Sequence, residues 1–196
     1  GALRIPLLTF APAPAAGRCG DHPWCDTSLS PDKRADLLLA ELTLKEKIDL
    51  LGGDDFMGGA VSSPDTHTGT QNGVPRLDLP TIYYSDGPVG PRQGPSIGLP
   101  APLALAATFN TDLARSHGTV AASEARAKGN DAIFAPTVNI ARTPLAGRTF
   151  EGYGEDPWLV SRLGVAWTKG AQSTGVIGNV KHFAANNQDG IDTDVT

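Results

Sequence analysis

DPWLVSRLGVAWTKGAQSTGVIGNVKHF (residues 156–183) reads as a helix followed at once by a strand. Asp156-Pro157 starts the helix, and Leu159, Leu163, Trp167 and Ala171 recur every fourth residue on one face. Gly175 ends it, because glycine accepts the left-handed conformation of a helix C-terminus. Val176 to Phe183 then has the composition of a strand. The same alternation lies upstream. Leu79 to Ser85 (LPTIYYS) is a β-branched and aromatic strand that runs into Asp86-Gly87-Pro88, and a Gly/Pro-rich loop continues to Pro102. Asn110 or Thr111 caps a helix carrying Leu113, Val120, Ala121 and Ala125, closed by Gly129. Ala132 to Ala135 is the next strand, and Pro136 to Gly154 is loop. Strand, loop, helix, strand, loop, helix, strand is the order of an α/β fold with a parallel sheet and crossover helices. A doubly wound sheet and a barrel both satisfy it.

Towards the N-terminus the pattern changes. Ser30-Pro31 opens a helix, with Leu38, Leu42, Ile48 and Leu51 at helical spacing. That stretch breaks at Thr43, where Thr43-Leu44-Lys45-Glu46 forms a capping box, and Gly52-Gly53 stops the second helix. From Gly52 to Gly73 few apolar anchors occur, which predicts a long loop. Residues 1–17 (GALRIPLLTFAPAPAAG) read as the back half of a secretory signal, a short apolar run followed by small residues. Residues 18–30 form an N-terminal extension, and the α/β domain occupies 31–196. Cys19 and Cys25, the only cysteines, either close a small disulfide loop in an oxidising compartment or stand as two free thiols.

Composition removes several classes of function. The chain has 196 residues, formal net charge −5 and 40% hydrophobic residues, so it is no disordered acidic tail. No run of Lys or Arg offers a stripe for phosphates, which argues against nucleic acid as a partner. No uncharged apolar stretch reaches 18 residues, so no membrane span is expected. His22, His67, His117 and His182 are far apart and lack zinc spacing, so no metal and no cofactor are expected. The 23 glycines and 16 prolines indicate a chain rich in turns.

Three polar clusters fall at the carboxyl ends of the three strands: Asp86 to Arg92, Arg142 to Glu155 and Lys181 to Asn187. Parallel α/β folds bind ligands at that edge, which makes one shared pocket the expectation. Each cluster alone has an ordinary reading. Asp86-Gly87-Pro88 is a turn, Arg148 with Glu151 a loop ion pair, Lys181-His182 a core histidine beside a solvated lysine. Together they suit a ligand with many hydroxyls, because a carboxylate accepts from vicinal OH groups while Arg and Lys donate to others.

SDGPVGPR (85–92), GRTFEGYGEDP (147–157) and KHFAANN (181–187) resemble, in order and spacing, the N-terminal barrel domain of glycoside hydrolase family 3. RADLLLAELTLKEKIDLL (34–51) is similar to the helical entry to that domain. The resemblance covers about residues 26–187. It implies the N-terminal part of a (β/α)8 TIM-like barrel, with about three β/α units present, and a β-glucosidase type of activity. It further implies that Asp86, Arg92, Arg148, Lys181 and His182 contact the sugar in the −1 subsite. Glu151 and Tyr153 would support Arg148, and Asn186 would order the loop after the strand. A cis peptide is implied between Lys181 and His182.

The family is retaining, using a nucleophile and an acid/base about 5–5.5 Å apart. The resemblance places the nucleophilic Asp on a later barrel strand and the acid/base Glu in a second domain. No catalytic residue is therefore expected in this chain, which reads as a fragment that is inactive alone. Asp189, Asp192 and Asp194 do not match the nucleophile's context. The implied partners are a β-glucoside or oligosaccharide substrate and the C-terminal domains of the same polypeptide; the implied location is secreted or extracytoplasmic. Ala184-Ala185-Asn186-Asn187 stands where the N-acetylhexosaminidase branch carries Pro-Gly-His, against that branch. A β-xylosidase and a non-catalytic sugar-binding half-barrel are the alternatives. A nucleotide-binding domain would need a Gly-rich loop between strand and helix, whereas Gly52-Gly53 and Gly58-Gly59 follow a helix.

Overall fold

A computed structural model describes residues 19–53 and 67–187. The 1–17 segment, the middle of the Gly52–Gly73 stretch, and Asp189, Asp192 and Asp194 lie outside the described residues. Helix α1 spans Pro31–Glu41 and α2 spans Leu44–Asp49. They separate where the capping chemistry predicts: Ser30 accepts from the Lys33 N–H, and Thr43 and Glu46 form both bonds of the capping box. Leu42 is buried with Trp24, Val74 and Leu77, but Ile48 and Leu51 of the expected stripe are exposed. The pair of helices is too short and too peripheral to bury a continuous face. Cys19 and Cys25 are joined by a disulfide at the edge of this cluster.

Among the described residues four strands form one sheet in the order β1 (Gly69–Gln71), β2 (Ile82–Asp86), β3 (Ala132–Phe134) and β4 (Ile177–Gly178). The β2–β3 and β3–β4 pairs are parallel, as the alternation predicts. The long loop expected from Gly52 to Gly73 needs correction: β1 lies within it and pairs antiparallel with β2. Gly69, Thr70 and Gln71 carry no apolar alternation, so the strand is held by its backbone ladder and has no hydrophobic period to announce it. A short helix, α3 (Pro102–Ala106), begins where the predicted Gly/Pro loop ends. The strand expected over 176–183 is regular only at 177–178. Its course beside β3 nevertheless continues, through Asn179 N–H to the Ile133 carbonyl, Lys181 N–H to the Pro136 carbonyl and Val138 N–H to the Lys181 carbonyl. Pro136 has no N–H to give, which interrupts the ladder there.

Helices α4 (Thr111–Ala127) and α5 (Pro157–Gln172) cover one face of the sheet. Asn110 caps α4 through the Asp112 and Leu113 N–H groups, and Asp156 caps α5 through Trp158 N–H. In α5, Leu163, Trp167 and Ala171 are buried as the fourfold spacing predicts. In α4 the buried face is Ala114, His117, Gly118, Ala121, Ala122 and Ala125, and the expected anchors Leu113 and Val120 face outward. Small residues win that face because the helices touch closely. A Cβ at Gly118 would collide with the Trp167 carbonyl oxygen, and one at Gly170 with that of Arg115. Thr119 bridges the gap by donating from Oγ1 to the Gly170 carbonyl at 3.2 Å.

The opposite face of the sheet carries Tyr84 and Phe134, whose rings stack with centroids 5.1 Å apart. It has no helix over it among the described residues. Asp86, the last residue of β2, shares that face with Tyr84 and pairs in register with Phe134. The loop after β2 is strapped to the far side of the sheet. The Lys128 ammonium donates to the Pro95 carbonyl and Ser96 Oγ at 2.6 Å and also to the Gln93 carbonyl, while Glu124 Oε1 accepts from Ile97 N–H at 2.9 Å.

Candidate functional site

Strand ends do the positioning. Parallel pairing sets the carboxyl ends of β2, β3 and the 177–181 segment side by side, and polar side chains from these ends and from the loop after β3 converge. Lys181 donates from Nζ to Asp86 Oδ1 at 2.8 Å across 95 residues of sequence. Arg92 Nη1 stands 3.4 Å from Asp86 Oδ2, and its Nη2 donates to Glu151 Oε1 at 3.0 Å. Arg148 grips the same carboxylate with Nε to Oε1 at 3.0 Å and Nη2 to Oε2 at 2.6 Å. Five of the sequence-derived residues thus form one continuous network of three cations and two carboxylates.

Glu151 is the keystone of the network, at 1% exposure. Burial pushes its pKa up, but the Arg148 hydrogen bonds and the charges of Arg148, Lys181 and Arg92 outweigh that, so its carboxyl titrates below the usual range. Asp86 uses one lone-pair direction on Lys181 and one on Arg92, and a carboxylate has about four. Tyr153 does not bond to Arg148. It is buried among Leu105, Ala114, Val160 and Leu163, its hydroxyl has no hydrogen-bond partner, and burial holds its pKa well above the usual phenol value. Its support for the segment is packing alone.

His182 follows Lys181 through a cis peptide, and Ala135–Pro136 is also cis. Its backbone N–H donates to Asn139 Oδ1 at 2.9 Å, and its ring Nδ1 lies 2.8 Å from that same oxygen. Asn186 brings its side-chain amide to 2.8 Å from Nδ1. Arg148, His182 and both asparagines line a small, open pocket of about 30 Å³ together with Thr137 and Thr149. Sequence reasoning missed Asn139. The available signal was a lone amide between Val138 and Ile140, just past a strand's carboxyl end. Among the described residues no group of three or more His, Cys, Asp or Glu has the arrangement of a metal site, and no helix is long and apolar enough to cross a membrane.

The family model described as "Glycosyl hydrolase family 3 N terminal domain" matches residues 67–195, the stretch that carries this network. The chain is 40% identical over 160 residues to a probable beta-glucosidase K of Aspergillus fumigatus, covering 79% of this chain and 19% of that protein. It is 39% identical over 158 residues to a beta-glucosidase of Rhizobium radiobacter, covering 77% and 18%. Among solved structures, beta-glucosidase 3B from Thermotoga neapolitana in complex with alpha-D-glucose superposes with a TM-score of 0.73 at 37% identity, covering 79% of this chain and 24% of that one. DesR, a beta-glucosidase from Streptomyces venezuelae in complex with D-glucose, gives 0.71 at 40% identity, covering 79% and 19%. The chain therefore spans about a fifth of the length of the curated relatives it matches.

Proposed function

The chain belongs to glycosyl hydrolase family 3, and from that premise we propose that it is the sugar-binding, N-terminal portion of a retaining, exo-acting β-glucosidase that removes terminal non-reducing β-D-glucosyl residues. The observation that carries this reading is the Asp86–Lys181–Arg92–Glu151–Arg148 network at the carboxyl edge of a parallel sheet. Asp86 accepts from two neighbouring sugar hydroxyls, and Lys181, Arg92 and Arg148 donate to hydroxyl oxygens without competing as acceptors. Glu151 spreads two guanidinium groups and fixes their planes. The remaining domains of the longer polypeptide are the chain's natural partners.

The hydrolytic step in this reading needs a nucleophilic carboxylate and a second carboxyl that holds a proton until the leaving group takes it. Neither carboxylate of the network suits those tasks. Asp86 is engaged by Lys181 and Arg92, and Glu151 is buried between two arginines that favour its ionised form. The resemblance to the family assigns both catalytic groups to other parts of a longer polypeptide, which leaves binding to this chain. The disulfide and the apolar 1–17 segment support a place outside the cytoplasm. The test is hydrolysis of p-nitrophenyl β-D-glucoside, with glucose binding by calorimetry, for the chain and for Asp86→Ala. The expected result is no turnover by either and glucose binding that only the parent shows. Turnover lost in Asp86→Ala would put the catalytic pair inside these residues and overturn the assignment.

A further inference from the structure

Asp86 and Arg92, one ion pair of the network, stand at the two ends of a single loop. Between them the chain turns on Gly90, which has a positive φ and donates its N–H to the Gly87 carbonyl. The ion pair cannot hold the loop ends by itself. Its contact is 3.4 Å, and the Arg92 side chain is 46% exposed, so water screens it. A second restraint is needed to fix the carboxylate and the guanidinium relative to one another.

Thr68 supplies it. Its Oγ1 accepts from the Asp86 backbone N–H at 2.7 Å and from the Gln93 side-chain amide at 2.6 Å. A hydroxyl oxygen has two acceptor lone pairs, and these two donors take both. One donor belongs to the residue that carries the carboxylate, the other to the residue next to the guanidinium. Both ends of the loop are thus fastened to one atom. The buried Ser85 hydroxyl donates to Gln93 Oε1 at 3.4 Å, which turns the amide nitrogen towards Thr68.

Thr68 is itself held by the sheet. Its backbone N–H donates to the Tyr84 carbonyl at 2.6 Å, immediately ahead of β1. Pairing of β1 with β2 reaches only to Gly69 and Tyr84, and Asp86 lies two residues further on. The hydroxyl therefore takes the place that a strand carbonyl would hold. We infer that Thr68 is a positioning residue, whose hydroxyl sets where the Asp86 carboxylate and the Arg92 guanidinium stand towards a polyhydroxylated ligand. That the ligand is a sugar rests on the function proposed above; the tether does not.

The experiment is amide hydrogen exchange and glucose titration, both read by NMR, on the whole 196-residue chain and its variants. Thr68→Val keeps the branched shape and the N–H that meets Tyr84 but removes the acceptor, and Thr68→Ser restores the acceptor. Thr68→Val is expected to speed exchange of the Asp86 amide and to weaken glucose binding, each about tenfold, while Thr68→Ser stays near the parent in both. The amides of Ile133 and Trp167, in the core under the helices, should not change. Gln93→Leu cuts the other bond to Oγ1, and is expected to weaken glucose binding while the Asp86 amide stays slow. An Asp86 amide that exchanges in the parent as fast as in an unstructured peptide overturns the inference, even where Thr68→Val does not fold. So does a folded Thr68→Val or Gln93→Leu that binds glucose as the parent does. Equal losses in Thr68→Val and Thr68→Ser would assign the effect to packing and overturn it as well. A slow Asp86 amide that Thr68→Val speeds, in a parent that does not respond to glucose, counts against the sugar reading alone.

Discussion

His117 in α4 engages both ring nitrogens, accepting from Trp167 Nε1–H at 2.9 Å on Nδ1 and facing the Pro100 carbonyl at 3.0 Å with Nε2. Only the neutral ring with its proton on Nε2 satisfies that pair. Burial disfavours the imidazolium, and the Pro100 carbonyl offsets this only in part, so the folded-state pKa lies below 6.5. As pH falls, the unfolded chain takes up the proton first. The stabilising contribution of His117 is therefore complete above about pH 6.5 and shrinks as pH falls towards the folded-state value. Urea midpoints measured from about pH 8 to about pH 5 should fall, and His117→Gln should flatten that slope. A variant as steep as the parent would assign the acid sensitivity elsewhere. Legibility at this scale followed charge and motif: Asp86, Arg92, Arg148, Glu151, Lys181 and His182 all stood out beside strand ends. Asn139 and His117 did not, because a single amide or imidazole has meaning only through partners that are 43 and 50 residues distant.

Between α4 and α5 the contact is backbone against backbone at Gly118 and Gly170. A methyl group at either position meets a carbonyl of the facing helix, which cannot move without moving its own hydrogen-bond ladder. Gly118→Ala and Gly170→Ala should each destabilise the chain by about 1–3 kcal/mol, read as a lowered urea midpoint with the m-value unchanged. Gly129 follows the end of α4, and a Cβ added there would meet nothing within 4 Å. Gly129→Ala therefore strains only the positive φ and serves as the control for backbone effects alone. Element boundaries were legible where capping chemistry is local, as at Ser30, Thr43, Asn110 and Asp156. The buried face of α4 was legible only in part, at Ala121 and Ala125. Hydrophobic periodicity favours Leu113 and Val120, but close helix approach selects Ala and Gly, which hydropathy hardly distinguishes from a solvent face.

At the scale of the whole molecule, one face of the sheet is packed under α4 and α5, and the other shows the Tyr84–Phe134 stack with no helix over it among the described residues. Ile177 and Val180 are about half exposed, and Phe183 is fully exposed. Apolar surface on that scale binds dye and neighbours. The purified chain should brighten 1-anilinonaphthalene-8-sulfonate while keeping the near-UV circular dichroism of its tryptophans, which separates an open but ordered face from a molten one. Silence from the dye would mean that this face is covered in solution. The parallel β2–β3–β4 order was legible from strand–helix alternation. The choice of barrel over doubly wound sheet was not, since it depends on how the sheet curves, and the motif resemblance supplied it.

The Lys128 strap ties the 93–97 loop to the last turn of α4, and Arg92 is the residue next to that loop. Helix end and loop are consequently one mechanical unit. A graft that brings in a loop of different course after β2 while keeping the resident helix would take the Gln93 and Pro95 carbonyls and Ser96 Oγ away from the Lys128 ammonium, so such a graft should carry the helix terminus with it. A change in the loop beside the proposed sugar site would thereby call for a matching change at the far end of a helix, away from the ion-pair network.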